Sequence, residues 1–136
     1  MLIKLVNLNY ESAHNNVRWN VGTTVTIPPE QRSLLLCGPG MLHVYEGNVE
    51  LALMLDPIHV NHTVNNIRAL EVAGKIVSRD GALKAGGHCF KVIRELPIPT
   101  ITIEHRVLFA IMCAFEASMG TKDPAMLSIL AAEACK

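Results

Sequence analysis

After Pro97-Ile98-Pro99 the pattern of the chain changes for good, and that change limits the folds open to it. Before it, short apolar runs such as Leu2 to Val6, Ile67 to Val72 and His88 to Leu96 read as strands, the last two alternating residue by residue. After it, Arg106 to Ser118 runs without Gly or Pro, and Val107 to Phe115 is apolar all round, which predicts a helix buried on more than one side. The two prolines end the last strand and force an extended connector. Strands first and helices last imply an α+β fold. The expected form is a curved, mainly antiparallel sheet with a short helix after the second motif strand and a C-terminal helical hairpin on one face. A chain of 136 residues fits one domain, 1–136, with 1–97 mainly strands and 102–135 the hairpin.

The helix ends are written locally. Thr102 can cap the first hairpin helix, with Glu104 in its first turn and Gly120 to end it. Asp123 and Pro124 form the cap and first position of the second, which runs to Cys135.

The tightest punctuation lies between Leu34 and His62. An apolar strand, Ser33 to Leu36, is expected to enter a Gly38-Pro39-Gly40 turn in which Gly38 or Gly40 takes φ > 0. A strand from Met41 to Tyr45 follows, then a helix from Asn48 to Leu55 that stops before Pro57. Ile58 to Asn66 reads as a polar loop. Elsewhere, Val17 to Val21 and Thr23 to Ile27 read as extended. Arg79-Asp80-Gly81 and Ala85-Gly86-Gly87 read as turns, and Gly74 as a turn or bulge.

Twelve basic and twelve acidic residues cancel, which removes the electrostatic reason to expect a nucleic acid or an anionic membrane as partner. The longest apolar run is nine residues, Val107 to Phe115, whereas a membrane helix needs ~20. Cys37, Cys89, Cys113 and Cys135 form no CxxC pair, and the start of the chain does not read as a secretory signal. They are expected to be reduced, mostly buried thiols of a cytoplasmic protein. Asn61-His62-Thr63 matches a glycosylation sequon that has no meaning without secretion. With 50% hydrophobic and 18% charged residues, apolar surface is left over for another copy of the chain. The expected partner is itself, as a homo-oligomer and most simply a dimer.

Four constellations carry candidate chemistry. His59 and His62, three residues apart, could chelate zinc with His43 or Cys37, but no second paired-ligand element exists, and neither a metal nor a cofactor is expected. Cys37 and His43 flank the Gly-Pro-Gly turn as a nucleophile and base, with Glu46, Glu50 or Asp56 to orient the imidazole. The ordinary reading is a small apolar Cys37 and a His43 that ties down the turn. Gly81 to Gly87 could cradle a phosphate around Lys84, but it lacks the P-loop spacing and reads as a hairpin turn. Gly40 to Tyr45 followed by a helix is loosely like the NAD-holding strand–loop–helix of ADP-ribosyltransferases, with Glu71 or Glu95 as the ribose carboxylate. The candidate catalytic residues are therefore Cys37, His43 and Tyr45, and the candidate ligand-binding residues His43, Tyr45, His59 and His62.

Trp19-Asn20-Val21-Gly22, Leu36-Cys37-Gly38-Pro39-Gly40-Met41-Leu42-His43-Val44-Tyr45, Asp56-Pro57-Ile58-His59, Asp80 to Gly86 and Arg94-Glu95-Leu96-Pro97 occur in that order. With the helix start around Thr102 to Cys113, this series resembles an uncharacterised family of small proteins of bacteriophage genomes and other mobile DNA. The resemblance covers roughly Val17 to Ala117; the stretch Asn7 to Asn16 has no counterpart. It implies a phage or mobile-element origin and a site around Cys37 to Tyr45, and no reaction. The function expected is binding or interaction; the alternative is an enzyme at Cys37 to Tyr45, in its most concrete form using NAD.

Overall fold

The apolar strand at the start of the chain, β1 (Leu2–Asn7), takes the middle of the sheet. The computed structural model describes residues 1–14, 16–60, 62, 66–81, 84–120 and 124–135, with the side chains of Ile58, His59, Ser118, Pro124 and Leu127 left aside. Among these residues the further strands are β2 (Thr24–Thr26), β3 (Leu42–Glu46), β4 (Ile67–Gly74), β5 (Ser78–Asp80), β6 (Lys84–Gly87) and β7 (Cys89–Leu96). They join β1 in a seven-stranded sheet of order β2-β7-β4-β1-β3-β6-β5, with every pairing antiparallel. The helices are α1 (Val49–His59), α2 (Ile103–Ser118) and α3 (Pro124–Ala134). The α+β fold with a C-terminal helical hairpin is as expected.

Strand alternation sends apolar side chains to both faces. Ile3, Leu5, Tyr45, Ile67 and Ala69 face the helices, while Val6, Val44, Leu70, Val72 and Phe90 form a second core on the other face. Trp19 closes that second core and is fully buried. Its ring lies 6.3 Å from Phe90, and its indole N–H donates to Ser12 Oγ at 2.8 Å. Unbroken alternation along β7 fails at Ile93. Leu70 pairs with Glu95 and Glu71 with Arg94, but Val72 pairs with Val92, so Ile93 is the extra residue of a bulge. The bulge inverts the strand, which is why Phe90 and Val92 pack with Trp19 while Leu96 packs under the helices. Gly74, the expected bulge or turn position, instead ends β4 against Phe90, where a Cβ would stand 2.4 Å from the ring.

Several sequence expectations are corrected. Ser33 to Leu36 is loop, with Leu34 and Leu35 exposed, because both neighbours of β3 are already occupied by β1 and β6. Val17 to Val21 contributes only a bridge between Glu11 and Arg18, and the Trp19 N–H goes to the Tyr10 carbonyl. Ala85-Gly86-Gly87 is strand, paired with β3 on one side, while Ala85 and Gly86 also pair with β5, and Leu36 and Met41 fill the space a side chain on Gly86 would need. Cys37 and Cys89 are exposed, and Cys113 and Cys135 are half-buried. Burial pushes the thiols of Cys113 and Cys135 up.

The short helix continues past the expected stop, through Pro57 to His59. Proline brings no N–H to the carbonyl four residues back. That carbonyl, of Leu53, is taken instead by Arg106 Nη1 at 3.2 Å, from α2. Asn48 caps α1 through Leu51 N–H and also donates to the Ser128 carbonyl of α3. Leu51 to Asp56 are all buried, so α1 takes the place against the sheet and the hairpin lies over α1. The all-apolar helix α2 is consequently not buried all round. Ile103, Val107, Ile111, Phe115 and Met119, one every fourth residue, are 54% to 76% exposed. Thr102 caps α2 as expected, within a capping box completed by His105. Asp123, the expected cap of α3, lies outside the described residues. No helix among the described residues is long and apolar enough to cross a membrane.

Candidate functional site

β1 and β4 pair over their whole length, but β1 and β3 pair only at Leu2–Glu46 and Ile3–Tyr45. Among the described residues no pairing joins them beyond Ile3, and a cavity of about 260 Å³ lies where they part. Its wall includes Lys4 and Leu5 from β1, Leu42 to Tyr45 from β3, Trp19, Cys37, and Asp56 and His62 from the end of α1 and just beyond it.

Lys4 is the charged residue of an apolar strand in the middle of the sheet. Its Nζ reaches across to the His43 carbonyl, 3.1 Å away, and lies 5.0 Å over the Trp19 ring. Lys4 is half-buried and lines the cavity. Burial lowers the ammonium pKa to about 8, against the opposing pull of the Asp56 charge. Asp56 is 3% exposed. Both its oxygens bind one residue: Oδ2 accepts from His62 N–H and Oδ1 from His62 Nδ1, each at 2.7 Å. The carboxylate therefore keeps the Nδ1 proton in place and sets the ring, and Nε2 is left as the working nitrogen. Nε2 is buried and has no hydrogen-bond partner among the described residues. Burial, and secondarily the Asp56 charge, push the Tyr45 phenol up, so at neutral pH it is a protonated hydroxyl.

Cys37, His43, Tyr45 and His62 all line this cavity. It does not make a nucleophile–base pair of the first two: His43 Nε2 is bonded to the Leu36 carbonyl and ties down the turn. Asp56, one of three carboxylates considered for orienting His43, orients His62. The side chain of His59 lies outside the described residues. Glu71 and Glu95, the candidate ribose carboxylates, are off the cavity and pair with Arg94 and Arg68. Lys84 is half-buried in β6 and lines the cavity. Lys4 and Trp19 were not legible as site residues. The available signal was a lysine inside Leu2 to Val6, since a charge in a strand with both faces covered needs a reason. No protein family, curated protein or solved structure matches the chain.

Proposed function

We propose that this chain is a binding protein for a small molecule held in the cavity between β1 and β3. The observation that carries the reading is His62 Nε2, buried on the cavity wall, oriented by Asp56 and without a partner among the described residues. A buried polar atom left unsatisfied costs ~1–3 kcal/mol, and a ligand hydroxyl or N–H donated to it removes that cost. At about 260 Å³ the cavity is below the ~300–1,000 Å³ of drug-sized sites, so the ligand is compact. Apolar walls from Trp19, Leu5 and Val44 favour a partly apolar body, and Lys4 favours an oxygen acceptor on it. A ligand-observed NMR screen of compact hydroxy acids, keto acids and amides should yield binders that His62→Gln weakens about tenfold, the worth of one buried hydrogen bond. Binders indifferent to that substitution, or none at all, would remove the reading. The phage or mobile-element origin that the Cys37 to Tyr45 string implies, and a place in the cytoplasm, are kept as part of this proposal.

A second reading concerns assembly and rests on a separate observation. Ile103, Val107, Ile111 and Phe115 along α2, with Met119 at its C-cap, are apolar and exposed. We take the occupant of this stripe to be the same stripe of a second copy. Residues four apart form the ridges that interdigitate when two identical helices cross, so such a face is self-complementary under a two-fold axis. Light scattering after size exclusion is expected to give twice 14.9 kDa. Ile111→Glu combined with Phe115→Glu should return the monomer. A parent that is monomeric at tens of micromolar, or a double variant that still dimerises, would exclude α2 as the interface.

A further inference from the structure

A lysine in the central strand of a covered sheet is costly, and a binding role for the cavity does not by itself require an amine there. We infer that Lys4 forms a Schiff base with a small aldehyde or ketone held in the cavity, with His62 moving the protons of that step. This rests on the reading of the cavity as a ligand site. Three observations support it. Lys4 lines the cavity, and among the described residues its amine has one hydrogen bond, to the His43 carbonyl, and no ion pair. The buried carboxylate near it, Asp56, is committed to His62 through both oxygens, so it does not lock the ammonium in place. The indole face of Trp19 lies under the amine and would support the iminium as it supports the ammonium.

The lowered pKa of about 8 leaves roughly a tenth of the amine neutral at pH 7, far more than an ordinary lysine. In the step, the Nζ lone pair adds to the carbonyl carbon; a C–N bond forms and the C=O π pair moves to oxygen. His62 Nε2 accepts the proton that the nitrogen sheds and delivers it to the departing oxygen. The same relay moves the second amine proton as the C–O bond breaks; water leaves with both amine protons, a neutral C=N bond remains, and one proton from solvent makes it the iminium that Trp19 supports and cyanoborohydride reduces. Nothing is oxidised or reduced in forming it.

The test is reductive trapping at pH 7 with pyruvate, and separately with propionaldehyde, in the presence of cyanoborohydride. Peptide mass mapping then reads each amine. Lys4 should be labelled about tenfold faster than exposed Lys75 and Lys91, because its larger neutral fraction outweighs the lower nucleophilicity of a less basic amine. The Met1 α-amine lies in the same tryptic peptide and is separated by fragment ions. Lys4→Arg should abolish the adduct while leaving labelling of Lys75 unchanged. Lys4 labelled no faster than Lys75 and Lys91 would overturn the inference, and the comparison within one folded protein needs no variant to fold. If compact ligands still bind and are weakened by His62→Gln, the binding reading survives that result; if they do not, both fall.

Discussion

Gly40→Ala should destabilise the protein by about 3 kcal/mol or more, a large part of the ~5–15 kcal/mol that holds a small domain folded. Gly40 has φ of +85°, where a side chain alone costs ~1–2 kcal/mol. Most of the cost is steric. A Cβ there would stand 1.9 Å from the backbone oxygen of Gln31 and 3.1 Å from Ser33 N. Neither atom can rotate away as a side chain would, so the segment 31–33 must move as a unit. That movement loosens the Ser33 N–H bond to the Gly40 carbonyl and the loop leading into β3, which walls the cavity. Gly38→Ala is the control. Gly38 has no positive φ, and its nearest neighbour would be Leu35 Cβ at 3.4 Å, so its cost should stay within ~1 kcal/mol. Urea unfolding of both variants decides the matter. A Gly38 variant weaker than the Gly40 variant would mean that the turn is built otherwise.

Trp19→Ala is expected to cost about 3–5 kcal/mol, the usual range for removing a large aromatic from a core. Trp19 is 0% exposed and is among the largest fully buried side chains. Its loss removes the contact with Phe90, the N–H bond to Ser12 and the aromatic face under Lys4. The void would merge with the cavity between β1 and β3, since Trp19 lines it already. Trp19→Phe should cost less, because a ring remains for Phe90 and Lys4 while only the indole N–H and part of the volume go. Unfolding must be followed by far-UV circular dichroism, as the chain has a single Trp and its fluorescence disappears with it. An alanine variant within ~1 kcal/mol of the parent would show that the second core does not depend on this ring.

The separation into strands and a helical hairpin was legible because its signals are local. Pro97 and Pro99 end one period, Thr102 caps the next, and β3, β4, β7 and α2 fall within a residue or two of where their patterns place them. Of the candidate residues Cys37, His43, Tyr45, His59 and His62, all but His59, whose side chain lies outside the described residues, line one cavity. What each one does was decided by partners distant in the chain or across the fold. Pro57 stays inside α1 because Arg106, 53 residues from the carbonyl it bonds, takes the place of the missing N–H. Ile93 becomes a bulge because β4 pairs with β7 in two registers, which alternation along one strand cannot reveal. Val107 to Phe115 looks like the most buried helix by composition, yet α1 fills the space against the sheet first and leaves one face of α2 outside. Lys4 reads as one polar residue in a strand until the sheet order puts that strand in the middle. The sequence pattern thus determined the kind and rough bounds of β3, β4, β7 and α2, because proline, capping and alternation act through neighbouring residues. The tertiary structure alone determined which faces meet, where β1 and β3 part, and that Asp56 orients His62 rather than His43, because those depend on which elements compete for the same surface.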